Sequence, residues 1–344
     1  MKIAFWSFYE ENCINMKMFL QKDAEVAEGI FKKWNTLYER CKKEGIELLT
    51  LDQVQNFEEI DCFIFSDFPR MSNPIVKKCF QLQTPKILII EEGPLIYSEN
   101  WRLSNHKLFK YIFTWNDDLV DEKKYFKYNV HHIEIHKICN SKRNKLCVMV
   151  ARNKRAIGST ELYSKRREVI NFFETHHIED FDLYGEGWDK FYFPSNVFFF
   201  RIFNGSKLNW IRSKIKIKYN SWKGAISNKI QIMSYYKFSI IFENSIGPNG
   251  YISEKIWDAF ASGTIPVYLG PQNIQKLVPE NCFIDYRKFK SNESMYSYIK
   301  NMSSQEISKY QENIQLFLEM EAKGGKFSDI YFVEKFISQI KTLN

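Results

Sequence analysis

The sequence predicts an α/β protein made of two Rossmann-like domains. Short apolar runs alternate with amphipathic helical segments, an order typical of parallel sheets with helical crossovers. A polar stretch at 137–145 interrupts this alternation, which then starts again, and 344 residues suit two domains of ordinary size. We therefore expect a first domain over 1–140, a second over 141–325 and a C-terminal helix over 326–344.

The first domain is predicted to contain five strands and two helices. Its strands are the short apolar runs, and its helices carry apolar residues at a spacing of three and four. The strands are placed at 2–7, 46–51, 60–65, 86–90 and 111–115, and the helices at 24–43 and 74–83.

The second domain repeats the pattern and is followed by helical segments. Strands are placed at 146–150 and 181–185, with a helix at 164–174 between them. Residues 304–342 have helical spacing, and we expect them to fold back across the first domain. The two domains are expected to face a central cleft, where ligands of such proteins bind.

One stretch, 238–271, predicts a complete βαβ unit. It is divided into a strand at 238–242, a glycine-rich turn at 245–250, a helix at 254–262 and a strand at 264–269. Ser253 is a suitable N-cap, and Gly263 stands where a helix-ending glycine is common. Pro266 cannot donate to a sheet ladder, so we place it near the start of the second strand.

Lys255 lies in the first turn of that helix, where the helix dipole disfavours a cation. A glycine-rich turn before a helix N-terminus is suited to binding an anion, and a bound phosphate would neutralise the lysine. Alternatively, Lys255 pairs with Asp258 one turn later on a solvated face. The local pattern leaves both readings open.

Several protein classes are excluded by what the sequence lacks. It has no GxGxxG after the first strand, no Walker A sequence, no HExxH and no GxSxG, which argues against dehydrogenases, P-loop enzymes, zinc proteases and serine hydrolases. No apolar run reaches the eighteen or so residues of a membrane span, and the N-terminus lacks the apolar core of a signal peptide. The seven scattered cysteines favour a reducing cytoplasm.

The positive charge of the chain is concentrated in one segment. Residues 190–242 contain ten Lys and Arg but no Asp or Glu, although the whole chain has a formal net charge of only +8. Aromatic residues are interleaved with these cations in 190–230, which we call the basic aromatic segment. Such a segment suits anionic lipid, a polyanionic acceptor or nucleic acid, or else its aromatics are simply core.

Residues 242–270 closely resemble the signature of the α1,3-fucosyltransferases, glycosyltransferase family 10. The shared elements are Phe242-Glu243-Asn244, Tyr251-Ile252-Ser253-Glu254-Lys255 and Tyr268-Leu269-Gly270, in the same order and spacing. The resemblance implies a GT-B fold with the acceptor mainly in the first domain and GDP-fucose in the second. It also implies inverting transfer of L-fucose to a glycan hydroxyl, with α1,3 linkage to a GlcNAc-type sugar.

The resemblance also implies roles for individual residues. Lys255 would contact the donor diphosphate and Glu254 the sugar or ribose, while Asn244 and Tyr251 would line the same pocket. A family arginine that meets the phosphates aligns with Arg166, with Arg167 as the alternative.

A catalytic base is implied in the first domain. Glu92-Gly93-Pro94 resembles the family triplet Glu-Ser-Pro, whose glutamate is the candidate base. Neighbouring Glu91 is the alternative, since successive residues of an extended chain point to opposite faces.

No metal is required by this interpretation, although stimulation by a divalent cation stays open. Asp180-Phe181-Asp182 is formally a DxD triplet, but it leads into a predicted strand, and we interpret it as coincidence. His131, His132 and His136 lack suitably spaced partner ligands and are interpreted as structural.

The expected partners are GDP-fucose and a glycan acceptor, with peripheral contact to anionic membrane through 190–230 and no nucleic acid. We expect a cytoplasmic protein at the inner membrane, since bacterial relatives often modify lipopolysaccharide or other surface glycans there. The alternatives are a transferase of another GDP-linked hexose, or a non-catalytic protein that binds a nucleotide sugar or nucleic acid.

Overall fold

The computed structural model describes residues 1–21, 31–129, 138–139, 141–197, 204, 215 and 217–343. The chain divides into two compact units. Unit 1 comprises Met1–Glu134 with Lys323–Asn344, and unit 2 comprises Ile135–Ala322. The border predicted at residue 140 falls on a residue outside the described part.

Unit 1 is built on a six-stranded parallel sheet with the order β2-β1-β3-β4-β5-β6. The strands are β1 (Lys2–Ser7), β2 (Glu47–Thr50), β3 (Cys62–Ser66), β4 (Lys86–Ile89), β5 (Tyr111–Thr114) and β6 (Tyr125–Lys127). The first five confirm the predicted strands. The sequence did not predict β6, because three residues at the sheet edge give too short a pattern to recognise.

Helices cover this sheet, as predicted. They are Lys17–Leu20, Lys32–Lys43, Pro74–Gln81 and Leu103–His106. The helix predicted at 24–43 is observed from Lys32, and residues 24–30 of that prediction lie outside the described residues. The central strands are buried along their whole length, which includes all five residues of β3 and all four of β4.

Unit 2 is built on a five-stranded parallel sheet with the order β11-β10-β9-β7-β8. The strands are β7 (Lys145–Val150), β8 (Phe181–Tyr184), β9 (Tyr236–Phe242), β10 (Ile265–Leu269) and β11 (Ile284–Asp285). The helices are Tyr163–His176, Lys229–Met233, Glu254–Ser262, Asn292–Lys300 and Ser304–Ala322. The two parallel sheets confirm the predicted α/β class.

Pro266 is the second residue of β10, as expected from its missing N–H group. The edge strand β11 pairs only with Val267 and Tyr268, so β11 does not run beside the proline. The fold therefore tolerates a proline in an interior strand.

The C-terminal helix Asp329–Ile340 packs on unit 1, which confirms the predicted return to the first domain for this helix, whereas the preceding helix Ser304–Ala322 belongs to unit 2. Phe332 lies 6.1 Å from Trp34 between ring centroids and 5.0 Å from Tyr128, and Phe336 lies 4.9 Å from Phe113. Residues 304–342 are two helices rather than one, because a turn containing Gly324 and Gly325 separates them. Among the described residues no helix is both long and apolar enough to cross a membrane.

Candidate functional site

The predicted βαβ unit is present in unit 2. Strand β9 ends at Phe242, the helix runs from Glu254 to Ser262, and β10 follows directly. Gly263 ends the helix with φ 72°, a left-handed conformation that favours glycine, and a Cβ there would meet the Arg143 guanidinium. The structure thus confirms the two strands and the helix that the local sequence signals predicted.

Glu243 organises the start of this helix. It is fully buried directly after β9, and its Oε1 accepts hydrogen bonds from the Ser253 N–H at 2.9 Å and the Tyr268 hydroxyl at 3.0 Å. The Ser253 hydroxyl donates to Glu243 Oε2 at 2.5 Å. Ser253 occupies the N-cap position as predicted, but its side chain makes no capping bond, because the buried carboxylate takes it instead. The first helical turn therefore receives no side-chain cap from Ser253.

Lys255 points back to this cluster. Its Nζ donates to Ser253 Oγ at 2.8 Å and to Glu254 Oε1 at 3.3 Å, and lies 3.6 Å from Glu243 Oε2. Asp258 instead pairs with Lys229 at 3.6 Å, so the alternative in which Lys255 pairs with Asp258 is wrong. Lys255 thus places a cation at the N-terminus of the helix, just after the glycine-rich turn.

Arg166 connects the helix Tyr163–His176 with the end of β9. Its Nε and Nη2 donate to the Phe242 carbonyl at 3.1 and 2.5 Å, and Nη2 also donates to Asn244 Oδ1 at 3.1 Å. Asn244 Nδ2 in turn lies 3.4 Å from the Tyr251 hydroxyl. The structure therefore brings Arg166, Asn244 and Tyr251 into one chain of contacts beside Glu254 and Lys255.

The two candidate arginines differ in their surroundings. Arg166 is 4% exposed, and burial lowers the pKa of its guanidinium. Arg167 is half-buried, donates to the Lys154 carbonyl at 3.0 Å, and has its pKa lowered by burial and then by the like charge of Arg155. Arg166 thus ties its helix to the end of β9, whereas Arg167 lies near a second cation.

Glu91 and Glu92 follow β4 in unit 1 and have different partners. Glu91 Oε1 accepts from Lys33 Nζ at 2.6 Å and from the Tyr128 hydroxyl at 3.1 Å. Glu92 Oε1 accepts from the Tyr9 hydroxyl at 2.8 Å. One carboxylate is thus tied to a buried cation, while the other meets a phenol that is 41% exposed.

Asp67 is a third carboxylate at this edge of the sheet, and the sequence analysis missed it. It follows β3, is 1% exposed, and its Oδ1 accepts from the N–H groups of both Glu91 and Glu92. Burial, followed by the charge of Glu91, raises its pKa to about 7. The available signal was a lone carboxylate placed directly after an apolar strand.

The metal candidates have other partners where the structure describes them. Asp180 accepts from Tyr296 and Lys300, and Asp182 from Lys145 and Tyr236. Within the described ranges no group of three or more His, Cys, Asp and Glu could hold a metal ion. His131, His132 and His136 lie outside those ranges, as does much of the basic aromatic segment.

A protein-family model matches the segment that contains most of the residues predicted to bind the sugar donor. The model of "Glycosyltransferase family 10 (fucosyltransferase) C-term" matches residues 211–321. This range includes Asn244, Tyr251, Glu254 and Lys255, whereas Arg166 and Glu92 lie outside it.

Curated relatives match over short stretches. An alpha-(1,3)-fucosyltransferase FucT of Helicobacter pylori is 40% identical over 75 residues, which are 22% of this chain and 16% of the relative. A 4-galactosyl-N-acetylglucosaminide 3-alpha-L-fucosyltransferase 9 of Bos taurus is 31% identical over 132 residues, 31% of this chain and 36% of the relative. The matches thus span well under half the length of these relatives.

Solved structures match over the whole chain. A crystal structure of an alpha1,3-fucosyltransferase has a TM-score of 0.54 at 17% identity, covering 100% of this chain and 89% of its own. A T4 phage BGT in complex with UDP and Mn²⁺ has a TM-score of 0.56 at 12% identity, covering 99% of each chain. These likenesses confirm the predicted GT-B fold class.

Proposed function

Because the chain belongs to glycosyltransferase family 10, we propose that it transfers L-fucose from GDP-β-L-fucose to a hydroxyl group of a glycan. The observation that carries the proposal is Lys255, a cation held at the N-terminus of the helix Glu254–Ser262 inside the family-matched segment. The proposed linkage is α1,3 to a GlcNAc-type sugar, since similar proteins have names that describe this transfer.

The proposed donor site uses the positive end of the helix for the diphosphate. As the bond to fucose breaks, negative charge develops on the departing β-phosphate, and cations with helix N–H groups stabilise it. Lys255 supplies the cation, and the N–H groups of the first helical turn supply donors that the Ser253 side chain does not cap.

The remaining donor candidates would shape the pocket for the nucleoside and sugar. Asn244 and Tyr251 contact each other, and Arg166 fixes Asn244 through Oδ1. Nε and Nη2 of Arg166 are committed to protein acceptors, so we propose that Arg166 acts by supporting this wall and adding positive charge behind the phosphates. Glu254 would accept hydrogen bonds from the hydroxyls of the sugar or ribose.

The proposed reaction inverts the anomeric carbon of fucose. The acceptor oxygen bonds to C1, the bond from C1 to the GDP oxygen breaks, and a base takes the hydroxyl proton. We propose Glu92 as that base, because its carboxylate accepts from the Tyr9 phenol, whereas Glu91 is bound to the Lys33 ammonium. A positioned base contributes on the order of 10²–10⁴-fold to such a step.

A metal has no assigned role in this proposal, and the partner and location remain predictions. Contact of the basic aromatic segment with an anionic membrane, a place at the cytoplasmic face of the inner membrane and a lipopolysaccharide-type acceptor belong to the same hypothesis. Vesicles of anionic lipid test the membrane contact, and activity with and without EDTA tests the metal.

The deciding experiment measures sugar transfer from GDP-fucose, GDP-mannose and UDP-glucose to an acceptor panel that contains terminal N-acetyllactosamine. We expect transfer from GDP-fucose alone, and a thermal shift with GDP but not with UDP, ADP or CMP. Transfer from GDP-mannose would favour the alternative hexose. Nucleotide shifts without transfer would favour the non-catalytic alternative.

Variants of Lys255 and Glu92, each with a matched control, test the roles proposed for these two residues. Lys255→Ala should abolish the GDP shift, whereas Lys229→Ala, which removes a cation paired with the same helix at Asp258, should keep it. Glu92→Gln should lower kcat by at least a hundredfold while the GDP shift persists, and Glu91→Gln should lower it much less. Near wild-type transfer by Glu92→Gln would rule out Glu92 as the base.

A further inference from the structure

Asp67 is a buried carboxylate with a left-handed backbone conformation. It is the first residue after β3, has φ 59°, and donates its N–H to the Ile89 carbonyl at the end of the neighbouring strand β4 at 2.8 Å. Aspartate adopts this conformation more readily than most residues, but burial of a carboxylate costs free energy unless donors surround it. The donors that offset this cost indicate what Asp67 does.

Three donors converge on one oxygen of this residue. Asp67 Oδ1 accepts from the Glu91 N–H at 2.8 Å, the Glu92 N–H at 3.0 Å and Asn100 Nδ2 at 2.6 Å. Hydrogen bonds to a charged acceptor are stronger than neutral ones and define the direction of their donors. The backbone of both glutamates is therefore tied to Asp67.

The carbonyl side of Glu92 is fixed as well. Its oxygen accepts from Trp101 Nε1 at 3.0 Å and from Asn100 Nδ2 at 3.3 Å. The Asn100 side chain is itself fixed, because its Oδ1 accepts from the Phe68 N–H at 2.6 Å. The N–H and the C=O of Glu92 are thus both fixed by hydrogen bonds.

We propose that Asp67 is a positioning residue for Glu92. It fixes the backbone from which the Glu92 carboxylate extends, and its negative charge strengthens the hydrogen bonds that do so. This inference rests on the proposed role of Glu92 as the base.

The charge effect arises among several titratable groups. Glu91 and Glu92 follow β4, and Tyr9 reaches Glu92 from the segment after β1. Lys33, from the helix Lys32–Lys43, and Tyr128, after β6, act on Glu91.

Two further groups complete this environment. Tyr97 interacts electrostatically with Asp67, and its hydroxyl donates to the Phe68 carbonyl. His106 contacts the Asn100 carbonyl at 2.6 Å and has its pKa lowered by burial. Neither replaces the negative charge that a neutral residue 67 removes.

The test compares Asp67→Asn with Asp121→Asn. The asparagine at 67 retains an oxygen that accepts the N–H bonds but loses the charge. Asp121 is a matched control, because it also accepts three backbone N–H bonds, from Lys123, Lys124 and Tyr125. Asp121 precedes β6, whereas Asp67 follows β3, so the two residues lie at opposite ends of the parallel strands.

At pH 8, where Asp67 is ionised, we expect Asp67→Asn to lower kcat about tenfold with an unchanged acceptor KM, because a neutral oxygen holds the three donors less firmly. Asp121→Asn should change neither quantity. A purely structural role for Asp67 would change the amount of folded enzyme but not kcat per folded enzyme.

A second variant tests the positioning without changing charge. Trp101→Phe removes the Nε1 donor to the Glu92 carbonyl but keeps an aromatic ring, so kcat should fall while the acceptor KM stays unchanged. If Asp67→Asn does not fold, a wild-type kcat in Trp101→Phe still overturns the positioning. A wild-type kcat in Asp67→Asn at pH 8 overturns it directly.

Glu92→Gln separates failure of the inference from failure of the proposed function. If Glu92→Gln transfers fucose at wild-type rate, Glu92 is not the base, whatever Asp67 does. If Glu92→Gln is inactive and Asp67→Asn is unchanged, only the role of Asp67 is wrong.

Discussion

The burial of Asp67 predicts a pH dependence of stability that Asp67→Asn should remove. In the folded protein burial, and then the charge of Glu91, raise the pKa of this carboxyl from 3.8 to about 7. Between these two values the folded chain binds more protons than the unfolded chain. Its contribution to the free energy of unfolding therefore falls as the pH rises through this range, and becomes constant above about pH 7.

The magnitude follows from the two pKa values. Between pH 5.5 and pH 8 the ionisation of Asp67 should reduce the free energy of unfolding by about 2 kcal/mol. The asparagine does not titrate, so stability relative to wild type should increase by that amount across the same interval. For a domain of this size the relative increase corresponds to about 4–8 °C in Tm.

The assay is thermal unfolding of wild type and Asp67→Asn at pH 5.5 and pH 8, with Asp121→Asn as the control. The pKa of Asp121 is lowered by hydrogen bonds, the first from the Tyr125 N–H, so its carboxyl stays ionised over this pH interval. Its variant should thus differ from wild type by the same Tm at both pH values. An equal difference for Asp67→Asn at both pH values would refute the reasoning.

Further variants test other parts of the structure. Gly263→Ala should lower the free energy of unfolding by about 1 kcal/mol or more, measured by urea denaturation, because residue 263 has a positive φ and its Cβ would meet Arg143. Arg166→Lys should raise the KM for GDP-fucose, since lysine cannot contact the Phe242 carbonyl and Asn244 with a planar fork. Glu243→Gln should weaken the GDP-induced thermal shift, because glutamine cannot accept from Ser253 and Tyr268 at both side-chain positions and so no longer fixes the start of the helix.

The βαβ unit was predictable because every local signal agrees there. The apolar run of β9, a small polar residue at 253 and a glycine at 263 are each read from a few neighbouring residues. The strands of both sheets other than β6 and β11 were also predicted, since buried parallel strands leave apolar runs. The edge strands β6 and β11 contain too few residues for such a run.

The contacts of the candidate site were harder to predict, because they join residues that are distant in sequence. The sequence identified Lys255 but left its partner open, and that partner cluster depends on Glu243, twelve residues earlier. Arg166 was identified through the family pattern, but its contacts with Phe242 and Asn244 span more than seventy residues. Local spacing contains no information about such pairs.

Two buried carboxylates of the candidate site have a common placement: Asp67, which the sequence analysis missed, and Glu243, which belongs to the family signature. Asp67 directly follows β3 and binds N–H groups that come after the adjacent strand β4. Glu243 directly follows β9 and binds the Tyr268 hydroxyl of the adjacent strand β10. Each carboxylate crosses from its own strand to the neighbouring segment, and the proposed functional group, Glu92 or Lys255, lies on that segment or beside it. In both cases an acid directly after a buried parallel strand binds groups on the neighbouring strand or just after it, close to the residue that we propose to be functional.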